Sequence, residues 1–121
     1  MHAPRVVVVV DDDNRIVESL QNLLESAGYT AHGFVSAQAL LGSPVWRTLD
    51  LLITDIGMPE IDGFALCRRL RRDRPGTPVF LITGCGEQQL QETEGLGVSV
   101  LFKPVDADEL LSSIEQKLDG R

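Results

Sequence analysis

The chain has 121 residues, of which 43% are hydrophobic and 24% charged, and its formal net charge is −7. This composition is typical of one globular domain with an ordinary hydrophobic core. The negative charge argues against direct nucleic-acid or anionic-membrane partners, and no apolar run approaches the roughly 20 residues of a membrane span. Cys67 and Cys85 lack metal-ligand spacing, and a reducing compartment suits them. We therefore expect a cytoplasmic protein that forms a single domain over residues 1–121.

The first half of the chain predicts two strand–helix pairs. Val6–Val10 is too short for a helix and too uniformly apolar for a half-exposed strand, which predicts a strand buried on both faces of a parallel sheet. Apolar residues recur at helical spacing over 16–27, and Gly28 stands where a helix commonly ends. A short strand over 29–34 and a short helix over 36–42 follow.

The second half repeats this alternation. Three further pairs follow in chain order: strand 50–55 with helix 64–72, strand 79–83 with helix 87–94, and strand 98–102 with a helix that Asp106 caps. Strands that alternate with helices over short connections predict an α/β fold, with a doubly wound parallel sheet and helices on both of its faces.

Polar side chains end the apolar runs at the carboxyl edge of this predicted sheet, where open α/β sheets bind their ligands. The residues in question are Asp11, Asp12 and Asp13 after the first strand, Asp55 at the third, Thr83 at the fourth and Lys103 after the fifth. Each of them alone is compatible with a solvated strand end. Their coincidence at one edge predicts a functional site.

Carboxylates crowded at one edge predict a hard cation. Like charges about 4–6 Å apart repel by roughly 1–4 kcal/mol at intermediate dielectric, so the cluster needs a positive partner. Mg²⁺ prefers one or two carboxylates, several waters and often a phosphate oxygen. Lys103 would then supply a positive charge and Thr83 a hydroxyl donor to a phosphoryl group. Asp55 would be the nucleophile that accepts this group as an acyl phosphate.

Four segments, VVVDDDN, ITDIGMPEIDG, LITG and FKP, resemble the motifs of the bacterial two-component response-regulator receiver domain in order and spacing. The resemblance spans essentially the whole chain, and receivers of the nitrogen-fixation and nodulation type are especially similar. It implies a flavodoxin-like, CheY-like fold with five parallel strands in the order 2-1-3-4-5.

The resemblance also implies roles for the acidic residues. Asp55 would accept the phosphoryl group from a phosphohistidine on a sensor histidine kinase or a histidine phosphotransfer protein. Asp12, Asp55 and the backbone carbonyl of Gly57 would bind Mg²⁺, with Asp11 helping directly or through water. The downstream effector is not identified by the sequence.

Thr83 and Lys103 would contact the phosphoryl group through a hydrogen bond and a charge pair, respectively. In this reading the protein is not an enzyme, because it assists only its own phosphorylation and dephosphorylation. Two features depart from the family. The spacing from Thr83 to Lys103 is a couple of residues shorter than usual, and Val100 stands where the family often has an aromatic ring. Switching would therefore use another element.

Two alternatives stay open. A small Mg²⁺-dependent phosphatase of the haloacid-dehalogenase type would use Asp11 as its nucleophile, with Thr83, Lys103 and Asp106 or Asp108 in support. This chain is short for such an enzyme, and the segment DIGMPEIDG would be unexplained. The second alternative is a receiver-like interaction module that keeps the fold without using phosphorylation.

Overall fold

A computed structural model of the protein describes residues 4–84 and 97–119. The strands are Val6–Val10 (β1), Thr30–Phe34 (β2), Leu51–Asp55 (β3), Val79–Thr83 (β4) and Ser99–Phe102 (β5). The α-helices within the described residues are Asn14–Ser26 (α1), Ala37–Leu41 (α2), Gly63–Asp73 (α3) and Ala107–Leu118 (α4), and Pro44–Arg47 forms a 3₁₀ helix. The helix predicted over 87–94 lies outside these residues, as does Cys85.

The strands form one five-stranded sheet in the order β2-β1-β3-β4-β5, and every neighbouring pair is parallel. The predicted doubly wound α/β fold and its strand order are therefore confirmed. Asp55 lies beside Ile82, and Thr83 lies beside Phe102, in the register of the sheet. Because the strands run in the same direction, their carboxyl ends meet at one edge.

Alternating side chains of the central strands bury both faces of the sheet. One face packs Val8, Val10, Leu52 and Leu81 against Leu40, Trp46, Phe64 and Leu66. The other packs Val7, Val9, Ile53 and Phe80 against Leu20, Leu24, Leu110 and Ile114. Each such side chain stabilises the fold by about 1.5–3 kcal/mol relative to an exposed one. Among the described residues, no helix combines the length and the apolar character needed to cross a membrane.

The 3₁₀ helix was not predicted from the sequence, which indicated only that a short helix ends near residue 42. Ser43 caps this helix through its side chain, which accepts a hydrogen bond from the Val45 amide, and Pro44 occupies its first turn. Trp46 is buried, and its Nε1 donates to Asp73 Oδ2 at 3.1 Å. The short helix therefore ties the region before β3 to α3.

Gly63 begins α3 directly against the backbone that ends β3. Its amide donates to the Ile56 carbonyl oxygen at 3.0 Å. A Cβ atom at Gly63 would lie 2.4 Å from the Asp55 carbonyl oxygen and 2.9 Å from Ile56 Cα. Since both neighbours are backbone atoms, only glycine lets the helix approach this closely.

We expect Gly63→Ala to lower the free energy of unfolding by about 1–3 kcal/mol, because the added methyl group forces backbone atoms apart. Urea denaturation measures the change. Gly76→Ala is the matched control, since a Cβ there would meet nothing within 4 Å. Its effect should stay within about 0.5 kcal/mol. Equal stability of the two variants would contradict the close packing at Gly63.

Candidate functional site

Three carboxylates meet at the carboxyl edge of the sheet. Asp11 and Asp12 follow β1, and Asp55 ends β3. One carboxylate oxygen from each lies within 4.8 Å of the others. Asp11 and Asp55 are only 2% and 7% exposed, whereas Asp12 is exposed. The cluster is therefore a buried pair of carboxylates with a third at its open side.

Lys103 bridges the two buried carboxylates. Its Nζ lies 3.2 Å from Asp11 Oδ2 and 3.2 Å from Asp55 Oδ1. The Lys103 amide donates to the Thr83 carbonyl oxygen at 2.9 Å, which fixes the backbone at the end of β5. The following peptide bond, to Pro104, is cis. The structure thus brings Asp11, Asp55 and Lys103 into direct contact.

The surroundings of these groups shift their ionisation. Burial raises the pKa of Asp11, against the hydrogen bond that its Oδ1 accepts from the Asp13 amide, and the charge of Asp55 raises it further. Burial alone would lower the pKa of Lys103, but the carboxylates of Asp11 and Asp55 outweigh this and raise it. Lys103 therefore stays cationic, and one positive charge faces three carboxyl groups.

The donors present fit a divalent cation. Asp11 Oδ2 is buried and makes no hydrogen bond within the described residues, although Lys103 Nζ lies 3.2 Å away. Lys103 supplies one positive charge to three carboxyl groups, so a divalent cation would balance the charge that remains. Carboxylate oxygens are the hard ligands that Mg²⁺ prefers. Gly57 is exposed in the loop after Asp55, so its carbonyl lies in the segment next to the cluster.

Of the remaining polar residues at this edge, Thr83 lies beside the cluster, whereas Asp13 and Asp106 cap helices. Thr83 is buried at the end of β4, next to the strand that ends in Asp55. Asp13 lies outside the carboxylate cluster, which holds Asp11, Asp12 and Asp55. It caps α1 by accepting the Arg15 amide at 3.0 Å, and its Oδ2 lies 3.1 Å from Arg15 Nη2. Asp106 likewise caps α4, accepting from the Glu109 amide at 2.9 Å.

The loop after Asp55 contains one backbone conformation that was not predicted from the sequence. Glu60 has a φ of +66°, a left-handed conformation that favours glycine. Its carboxylate accepts a hydrogen bond from Gln38 Nε2 of α2. The residue type at position 60 does not signal this conformation, because glycine or asparagine is the usual indication of it.

Comparisons with known proteins identify the family of this chain. The family described as the response regulator receiver domain matches residues 7–115. The transcriptional regulatory protein FixJ of Bradyrhizobium diazoefficiens is 34% identical over 114 residues, which are 93% of this chain and 56% of FixJ. The C4-dicarboxylate transport transcriptional regulatory protein DctD of Rhizobium meliloti is 32% identical over 123 residues, with 100% of this chain and 27% of DctD covered.

The same likeness extends to solved structures. The crystal structure of a CheY-like response regulator receiver domain protein from Methanospirillum hungatei JF-1 superposes with a TM-score of 0.89 at 27% identity. The match covers 98% of this chain and 96% of that one. By contrast, the chain spans only 27% of the length of DctD and 56% of the length of FixJ.

We expect Asp11→Asn to raise the melting temperature of the metal-free protein by about 3–6 °C. A carboxyl group whose folded pKa is raised opposes folding once it ionises, so its neutral isostere removes that cost at pH 7. The same substitution should reduce the further stabilisation that added MgCl₂ gives, because a ligand is lost.

Thermal unfolding in EDTA and in MgCl₂ measures both effects. Asp13→Asn is the control, since it removes a neighbouring charge from outside the cluster and asparagine still caps the helix. A lower melting temperature for Asp11→Asn in EDTA would contradict the excess of negative charge at this edge.

Proposed function

Because the chain belongs to the response regulator receiver domain family, we propose that it accepts a phosphoryl group on Asp55 and thereby switches its contacts with partner proteins. The observation that supports this most directly is the surroundings of Asp55. Asp55 is the last residue of a buried central strand, and its Oδ1 lies 3.2 Å from Lys103 Nζ. A carboxylate in this position lies at the carboxyl edge of the sheet and has a positive charge beside it.

In the proposed reaction, a carboxylate oxygen of Asp55 attacks the phosphorus of a phosphohistidine on the partner. An O–P bond forms while the N–P bond breaks, and the imidazole nitrogen keeps the electron pair and takes up a proton. Lys103 places its charge against one phosphoryl oxygen, and the Thr83 hydroxyl donates to another. The product is an acyl phosphate, and the protein assists this reaction on itself alone.

We propose that Asp11, Asp12, Asp55 and the Gly57 carbonyl hold Mg²⁺ during this step. The bound ion would neutralise charge between the carboxylates and the phosphoryl oxygens. The close approach of the three carboxylate oxygens and the burial of Asp11 Oδ2, whose nearest cation is shared with Asp55, support this ligand set. Asp12, the exposed member, would be the ligand nearest to solvent.

The proposed donor is a sensor histidine kinase or a histidine phosphotransfer protein. We propose that residues 1–121 act as one receiver unit in the cytoplasm and pass the signal to a downstream effector protein or domain. FixJ and DctD are named as transcriptional regulatory proteins, and both are longer than the matched region. The net charge of −7 favours protein partners over direct contact with nucleic acid or membrane.

Intact-mass measurement after incubation with acetyl phosphate tests the proposal. We expect one added phosphoryl group in MgCl₂, none in EDTA and none in Asp55→Asn, because that variant lacks the nucleophilic oxygen. Asp13→Asn is the matched control and should be modified like the wild type.

Two results would contradict the proposal. A wild-type protein that stays unmodified, with acetyl phosphate and with phosphohistidine donors alike, would favour the phosphorylation-independent interaction module. Modification that survives Asp55→Asn but is lost in Asp11→Asn would favour phosphatase-like chemistry. The family match already argues against that chemistry, as does the helix-capping role of Asp106, one of the carboxylates it would require.

A further inference from the structure

The loop between Asp55 and α3 is anchored at its two ends and exposed between them. At its start, the Ile56 amide donates to the Ile82 carbonyl oxygen at 3.1 Å, and at its end the Gly63 amide donates to the Ile56 carbonyl oxygen at 3.0 Å. The Met58 side chain is buried beneath the loop. Gly57, Pro59 and Glu60 are exposed. These three residues form what we call the loop crown.

Glu60 is the strained member of the loop crown. Its φ of +66° lies in the left-handed region, which costs a residue with a Cβ atom roughly 1–2 kcal/mol. Such a conformation persists only where surrounding contacts determine it, and it is commonly found at functional sites. The side-chain contact that the structure shows here is the hydrogen bond from Gln38 Nε2 to the Glu60 carboxylate. Gln38 belongs to α2, which contributes no residue to the carboxylate cluster.

We propose that the Gln38–Glu60 hydrogen bond is a positioning contact for the metal site. It holds the loop crown in the conformation that presents the Gly57 carbonyl toward the carboxylate cluster. This inference rests on the proposed function, since the carbonyl matters only if a cation binds there. Gln38 and Glu60 are positioning residues, because neither lies in the carboxylate cluster.

The contact has a thermodynamic consequence for α2. If the hydrogen bond favours the loop conformation that binds the cation, the bound cation favours the hydrogen bond by the same free energy. Occupation of the site therefore strengthens the link between α2 and the loop crown. Through this contact α2 responds to the state of the metal site.

Calorimetric titration with MgCl₂ tests the proposal, with melting temperatures in EDTA as the measure of stability. Gln38→Ala removes the donor without a change in charge, and we expect it to weaken Mg²⁺ binding about three- to tenfold. Glu60→Gln and Glu60→Ala remove the same charge, but glutamine keeps an acceptor oxygen. We therefore expect tighter Mg²⁺ binding by Glu60→Gln than by Glu60→Ala.

Glu60→Gly distinguishes a loss of loop positioning from a loss of protein stability. Glycine relieves the left-handed strain while it removes the contact. We expect this variant to melt at the wild-type temperature or above it in EDTA, yet to bind Mg²⁺ more weakly than Glu60→Gln.

Glu18→Ala is the matched control. It removes an exposed carboxylate and an exposed side-chain hydrogen bond, the one from Asn14 Nδ2 at 3.2 Å, and it lies in α1 rather than in α2 or the loop crown. We expect Mg²⁺ binding by this variant to match that of the wild type.

The two proposals fail in different ways. If the wild type binds Mg²⁺ and is phosphorylated while Gln38→Ala and Glu60→Gly bind Mg²⁺ like the wild type, the positioning role is wrong and the proposed function stands. If the wild type binds no Mg²⁺, both are overturned.

Discussion

The contact on which the rest of the site depends is the ammonium group of Lys103 between two buried carboxylates. Its Nζ is 3.2 Å from both Asp11 Oδ2 and Asp55 Oδ1. Two carboxylates this close would repel each other strongly in a poorly solvated setting, and Lys103 offsets much of that repulsion. It does not offset all of it, because Asp12 adds a third carboxyl group. The negative charge that remains at this edge of the sheet is what the proposed cation would balance.

Most of the fold was predictable because its determinants are local. Val6–Val10 has no polar position, so it had to lie between two helical layers, and it does. Asp106 began a helix as its pattern indicated. The 3₁₀ helix at Pro44–Arg47 was missed, since it is held partly by the distant hydrogen bond between Trp46 and Asp73. Such a contact has no signal in the local sequence.

The residues of the site could be predicted from the topology of the sheet, whereas the backbone conformation of the loop beside them could not be predicted from the sequence. Residues that end parallel strands share one edge, and this alone placed Asp11, Asp55 and Lys103 together. The left-handed conformation of Glu60 depends on three-dimensional contacts that the residue type does not indicate.

The sequence also indicated that Val100 stands where the family often has an aromatic ring. In the structure Val100 is half-buried, and Phe102 is the ring in register with Thr83.

The most direct test of this account locates the acyl phosphate. Borohydride reduction of the phosphorylated protein converts the modified aspartate to homoserine, and peptide mass mapping then identifies its position. The account predicts homoserine at position 55, formed only when Mg²⁺ was present during phosphorylation. Homoserine at position 11 or 12 would contradict the assignment of Asp55 as the acceptor and, with it, the roles given to Lys103 and the carboxylate cluster.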